Sequence, residues 1–242
     1  MSDPGSGGPL VCGFSDLASG FGGLAWRLGA QGGLILDDGG VQAAEVEISE
    51  ADESVELRLA STGGETQATL TPRPSRLALE TPEGTPPGGG LEASVCSAEV
   101  KPAGENRTLR CFGHLSGWAE DPSAAPGAFR HLAVERSDGS LLLVVARGEG
   151  ADHGAEQSAA WLLDGEGMVS AFGEALLSTQ YDKDGRVTRA GLELRPEGDE
   201  TPPMRAAGIR LGGSEADGLS AALLRCSTEG SEGLGGYLIK RG

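Results

Sequence analysis

The sequence predicts an all-β chain made of two tandem antiparallel barrel or sandwich units that arose by internal duplication. Three observations carry this. Short echoes recur in the same order in both halves, apolar and polar residues alternate with a period of two, and turn residues fall where hairpins need them. Phe14-Ser15-Asp16-Leu17-Ala18 is echoed by Phe129-Arg130-His131-Leu132-Ala133, and Ile35-Leu36-Asp37-Asp38-Gly39-Gly40 by Leu162-Leu163-Asp164-Gly165-Glu166-Gly167. Gly90-Leu91-Glu92-Ala93 returns as Gly218-Leu219-Ser220-Ala221, and Gly113-His114-Leu115 as Gly236-Tyr237-Leu238.

Taken in order, Val41–Ile48 and Val55–Leu59 alternate as half-buried strands, with one face on a core and one in water. A Pro/Gly-rich loop over Thr81–Gly90 leads into a strand running to Val100. If that strand pairs with Arg107–Phe112 around a turn at 101–106, Cys96 sits opposite Cys111, as two small buried thiols or as a disulfide. Glu120–Gly127 is the best linker, which sets the halves at residues 10–119 and 127–242.

In the second half, Asp138-Gly139 separates Leu132–Arg136 from Leu141–Ala146. The unbroken apolar run Leu141–Val145 suits a strand covered on both faces. Glu156–Leu163 is open between strand and helix. Gly173–Tyr181 reads as a strand, because Asp184-Gly185 follows it and Val187–Leu194 alternates. The count is roughly seven or eight strands per half.

Composition narrows the function. A formal net charge of −17, with 36 acids against 19 bases, argues against nucleic acid and against an anionic membrane surface as partners. No apolar stretch is long enough to span a membrane, and residues 1–9 lack the pattern of a signal peptide, so a cytoplasmic location is expected. Neither the four cysteines nor the three histidines have metal-ligand spacing, and no dinucleotide, phosphate-loop or nucleophile-elbow motif is present. No metal and no cofactor are therefore expected. The oligomeric state is open.

The densest local candidate is Gly148–Gln157, which places Asp152, His153 and Glu156 within five positions, shortly before Trp161. An acid beside an imidazole can move a proton on a ligand, and a carboxyl in apolar surroundings becomes a proton donor. These three residues are the candidate catalytic set. The plainer reading of the same stretch is a solvated loop between strands. Trp26, Trp118, Trp161 and Tyr181 are candidate ligand-lining residues, with Trp118 placed to sit between the halves. His114 and His131 read as wall residues of strands, and Arg27, Arg147 and Arg195 as possible anchors for a ligand carboxylate.

Three second-half stretches, Ala160-Trp161-Leu162-Leu163-Asp164, Ser178-Thr179-Gln180-Tyr181-Asp182 and Gly191-Leu192-Glu193-Leu194, give the chain a further likeness. With the two-unit layout, the sequence resembles the duplicated lipocalin-like (two-barrel calycin) family, which includes carotenoid hydratases and natural-product cyclases. The resemblance implies a small apolar ligand of terpenoid or polyketide type, either simply bound or carried through acid–base hydration or cyclisation of an alkene. It transfers no catalytic residue, and the sequence leaves open whether the protein is an enzyme. The alternative is a non-catalytic β-rich module that binds a protein partner through its surface or edge strands.

Overall fold

In the computed structural model the described residues are 8–51, 53–80, 89–148, 156–198, 202–216, 218–228 and 230–241, and none of them is helical. The first half contributes β1 (Leu10–Asp16), β2 (Phe21–Leu28), β3 (Ala30–Asp37), β4 (Gly40–Glu50), β5 (Val55–Ser61), β6 (Gly64–Leu79), β7 (Leu91–Lys101) and β8 (Leu109–Trp118). They pair in chain order, and β8 returns to β1 to close an antiparallel barrel. The second half contributes β9 (Ala128–Arg136), β10 (Leu141–Gly148), β11 (Gln157–Leu163), β12 (Val169–Ala171), β13 (Glu174–Tyr181), β14 (Val187–Arg195), β15 (Met204–Ala216), β16 (Leu219–Thr228) and β17 (Ser231–Lys240). These form one nine-stranded sheet in the order β12-β11-β10-β9-β17-β16-β15-β14-β13. The all-β, two-unit expectation holds. Both Asp-Gly hairpins form, with Gly139 and Gly185 at positive φ, as the turn requires.

The halves differ where the barrel should close. In the first, β4 is continuous and changes partner within itself, pairing with β3 through Ala44 and with β5 from Glu45. In the second, the corresponding hand-over is broken at Phe172-Gly173 into β12, paired with β11, and β13, paired with β14. A seam between β11 and β13 remains, bridged by Ser158 Oγ donating to the Ala175 carbonyl.

Side-chain alternation sorts the core into three clusters. Leu10, Cys12, Phe14, Leu57, Leu70 and Leu115 fill the first barrel, while Leu132, Val144, Leu192 and Tyr237 pack inside the second. The third cluster lies between the halves and takes the outward residues of both, among them Leu24, Trp26, Trp118, Leu143, Trp161 and Leu238. Every residue of β10 is thus covered on one face or the other except half-buried Arg147, as its apolar run requires. Two large side chains settle onto glycines at this junction. A Cβ on Gly236 would strike Leu24, and one on Gly22 would strike Leu234, so β2 and β17 interlock knob into hole. The segment between the halves is also held to both, since Asp121 accepts from the Gly29 amide and Lys240 Nζ donates to the Ser123 and Ala125 carbonyls.

Two expectations need correction. Cys96 pairs with Gly113 and Cys111 with Ala98, because the β7–β8 loop extends to Thr108 and shifts the register by two residues. All four cysteines are free and buried, and burial pushes the Cys96, Cys111 and Cys226 thiols up to about 12. Two of the four echoes are also out of structural register. Leu91 faces Trp118 and Leu219 faces Lys240, so Trp118 corresponds to Lys240, His114 to Gly236 and Leu115 to Tyr237. Carrying the pairing on through β1 and β9 equates Leu10 with Arg130, Gly13 with Ala133 and Ser15 with Glu135. The duplication is carried by the topology, whereas the Phe14/Phe129 and Gly113/Gly236 matches are offset from it.

Candidate functional site

The junction holds most of the buried polar side-chain atoms that have no partner among the described residues. On β8, His114, Ser116 and Trp118 point out of the first barrel. On β9, Phe129, His131, Ala133 and Glu135 point out of the second half toward them. His114 Nδ1 and Glu135 Oε1 meet at 2.8 Å across the junction, with both side chains almost wholly buried. Gly13, paired with His114 on β1, makes room for them. A Cβ there would lie 2.7 Å from His114 Nδ1 and 2.9 Å from Glu135 Oε1.

With Glu135 as a carboxylate, Nδ1–H donates to it, and in the neutral ring that tautomer leaves the lone pair on Nε2 as a proton acceptor. Nε2 has no hydrogen-bond partner among the described residues, nor does Glu135 Oε2. His131 is fully buried, and neither of its ring nitrogens has a side-chain or backbone partner among the described residues. Burial above all, with His114 nearby, pushes its pKa down to about 3, so its imidazole is neutral at neutral pH. The indole nitrogens of Trp26 and Trp118 and the hydroxyls of Ser15 and Ser116 are likewise buried and unpartnered. Such atoms are rare in native interiors, because each forfeits about 1–3 kcal/mol when left without a partner. Their concentration at the junction makes it the candidate site.

Beside this cluster lies a cavity of about 600 Å³, lined by Pro9, Glu50, Arg76, Leu79, Leu91 and Trp118 among others. Trp118 lines it and also meets His131 edge-on at 5.4 Å. Trp161 frames the same region from the second half, its indole N–H donating to the Glu80 carbonyl at 2.8 Å. Arg27 and Arg76 converge on Glu50 at the rim, at 2.5 Å and 3.0 Å.

The sequence-derived candidates therefore divide. Trp26, Trp118 and Trp161 come together at the junction. Tyr181 does not, lying half-buried at the end of β13 under the Arg241 guanidinium. Asp152 and His153 lie outside the described residues. Glu156 is buried away from the junction, in an ion pair with Arg130. Arg195 is an exposed partner of Glu174 and Glu193. The His114–Glu135 pair escaped sequence reasoning because its members belong to different halves. The available signal was the β9 alternation, which puts His131 and Glu135 on the same face as Phe129 and Ala133. Among the described residues no three His, Cys, Asp or Glu side chains are placed to hold a metal ion, and no helix is long and apolar enough to cross a membrane.

The class this architecture defines is the duplicated lipocalin-like fold, with two antiparallel β-barrel units in tandem and a shared apolar junction. No protein-family model matches the chain, and no curated protein matches it in sequence. Solved structures do share its fold. A "putative AttH" of Nitrosomonas europaea superposes with a TM-score of 0.60 at 13% identity, covering 96% of this chain and 91% of that one. Kievitone hydratase of Nectria haematococca gives 0.60 at 10% identity, over 99% and 91%. CghA with Sch210972 gives 0.52 at 11%, over 97% and 88%.

Proposed function

We propose that the protein binds a small, largely apolar molecule at the junction of its halves and moves a proton on it. The carrying observation is the unpartnered polar set around the His114–Glu135 pair, next to a cavity walled by Trp118. Glu135 holds the imidazole, and His114 Nε2 takes the proton and returns it. Trp118 supplies an apolar wall, with Trp161 and Trp26 in the same packed cluster, while neutral His131 offers one donor and one acceptor without adding charge. A terpenoid- or polyketide-like alkene that is hydrated or cyclised suits this arrangement, because protonation or deprotonation of a hydrocarbon framework needs a dry, oriented acid–base pair. Two of the proteins sharing the fold support the reading by their names, one kievitone hydratase and the other CghA, solved with Sch210972.

All three tryptophans of the chain lie at the junction, so tryptophan emission reports its occupancy. A panel of isoprenoid and polyketide alkenes is screened by emission, and responders are incubated in oxygen-18-labelled or deuterated water. Solvent label enters the product with the native chain, and E135Q lowers that rate at least tenfold without abolishing binding. Label incorporation that E135Q leaves intact would move the chemistry elsewhere. A panel that never alters the emission would end the binding claim.

A further inference from the structure

The second half contains a polar floor that the first lacks. Arg130 and Tyr237 point inside it at the positions where the first barrel has Leu10 and Leu115, by the strand pairing given above. Arg130 is 2% exposed and ion-paired with Glu156, whose own side chain is equally hidden. Arg130 Nη1 donates to Thr179 Oγ1 at 3.1 Å, and Thr179 Oγ1 lies 2.6 Å from the Tyr237 hydroxyl. Burial raises the Tyr237 pKa, against the opposing pull of Arg130 and Thr179, so the phenol keeps its proton. Above this floor opens a concavity of about 840 Å³ at the β11–β13 seam, with Ala175, Leu177, Leu192 and Ala206 along its walls.

We infer that this concavity is a second small-molecule site, independent of the junction, and that it takes a neutral carbonyl oxygen carried on an apolar body. The donor selects the chemistry. Arg130 Nε–H is buried and has no partner among the described residues. Of the Thr179 and Tyr237 hydroxyls, one donates to the other. Arg130 lines the concavity and so offers its Nε–H to an acceptor there, while the Thr179–Tyr237 pair braces the guanidinium. Glu156 already neutralises Arg130, so a carboxylate entering beside it would meet like charge, whereas a ketone or ester oxygen would not. The apolar walls take the remainder of the molecule.

The test is calorimetric titration of the full chain with methyl nonyl ketone, undecane and undecanoate. The ketone is expected to bind at least tenfold more tightly than either of the others, without altering tryptophan emission. R130M/E156Q removes the donor and both charges together and weakens the ketone at least tenfold. A206F, which fills the wall without touching the floor, does the same and decides the matter alone if the double variant does not fold. Equal binding of alkane or carboxylate overturns the assignment of ligand. Ketone affinity unchanged in A206F overturns the site, and so does ketone binding that tracks tryptophan emission, which would place it at the junction. A native chain that does not bind the ketone overturns the proposal as a whole.

Discussion

The first half is a closed barrel packed with Leu, Val, Cys and Phe, while the second is a curled sheet with a seam, a buried ion pair and a tyrosine on its floor. Both follow one strand plan. Two differences bear on closure: polar groups at Arg130 and Tyr237 in place of Leu10 and Leu115, and a strand broken at Phe172-Gly173 where β4 is continuous. The pairing suggests a physical link. A filled barrel closes because its apolar interior excludes water on every side, and a barrel with charges inside is better served by an opening. After duplication one copy can keep the scaffold while the other trades core for chemistry.

The largest expected effect comes from breaking the ion pair alone. Arg130→Leu imposes the first barrel's residue on the second half and strands the Glu156 carboxylate, which costs about 3–5 kcal/mol. R130L/E156Q recovers most of that loss. Urea midpoints measure both, and equal loss in the single and double variants would show that the pair is not what distinguishes the halves. Next comes the spacing between them. Gly13→Ala pushes a methyl against His114 and Glu135 and is expected to destabilise by about 1–3 kcal/mol. Its counterpart Ala133 already carries a Cβ, and Ala133→Ser should perturb the pair less. Thermal unfolding of the two variants tests this, and an innocuous G13A would mean that the junction is loose.

Near neutral pH the smallest effect is in pH dependence. His131 titrates at about 3 when folded against 6.5 in its ordinary state, so between those values the unfolded chain binds the extra proton. Stability from the buried neutral ring is therefore complete above pH 6.5 and declines as pH falls through the window, by at most about 1.4 kcal/mol per pH unit. Chemical denaturation at several pH values should show H131Q with a shallower slope than the native chain. Parallel slopes would assign the dependence to other groups.

Much of the scaffold is legible in the residues. Alternation in Val55–Leu59, the unbroken run Leu141–Val145 and the two Asp-Gly turns locate their strands without help. The candidate site was legible only in part. Tryptophan scarcity marked Trp26, Trp118 and Trp161, which lie together at the junction, whereas Glu156, singled out for its acid-rich surroundings, lies away from it beside Arg130, which the sequence did not single out. The Cys96–Cys111 facing failed because loop length, which sets hairpin register, is the least certain quantity in such a chain.

Sequence by itself determined the strand periods and the turns, because each is written in contacts between near neighbours along the chain. Tertiary structure alone decided the strand registers, the open seam of the second half, and the meeting of His114 with Glu135. A slip of one residue turns every side chain to the other face of a strand. Which face His114 or Arg130 occupies is therefore set by pairing with distant strands, and by glycines such as Gly13 that let the two halves approach.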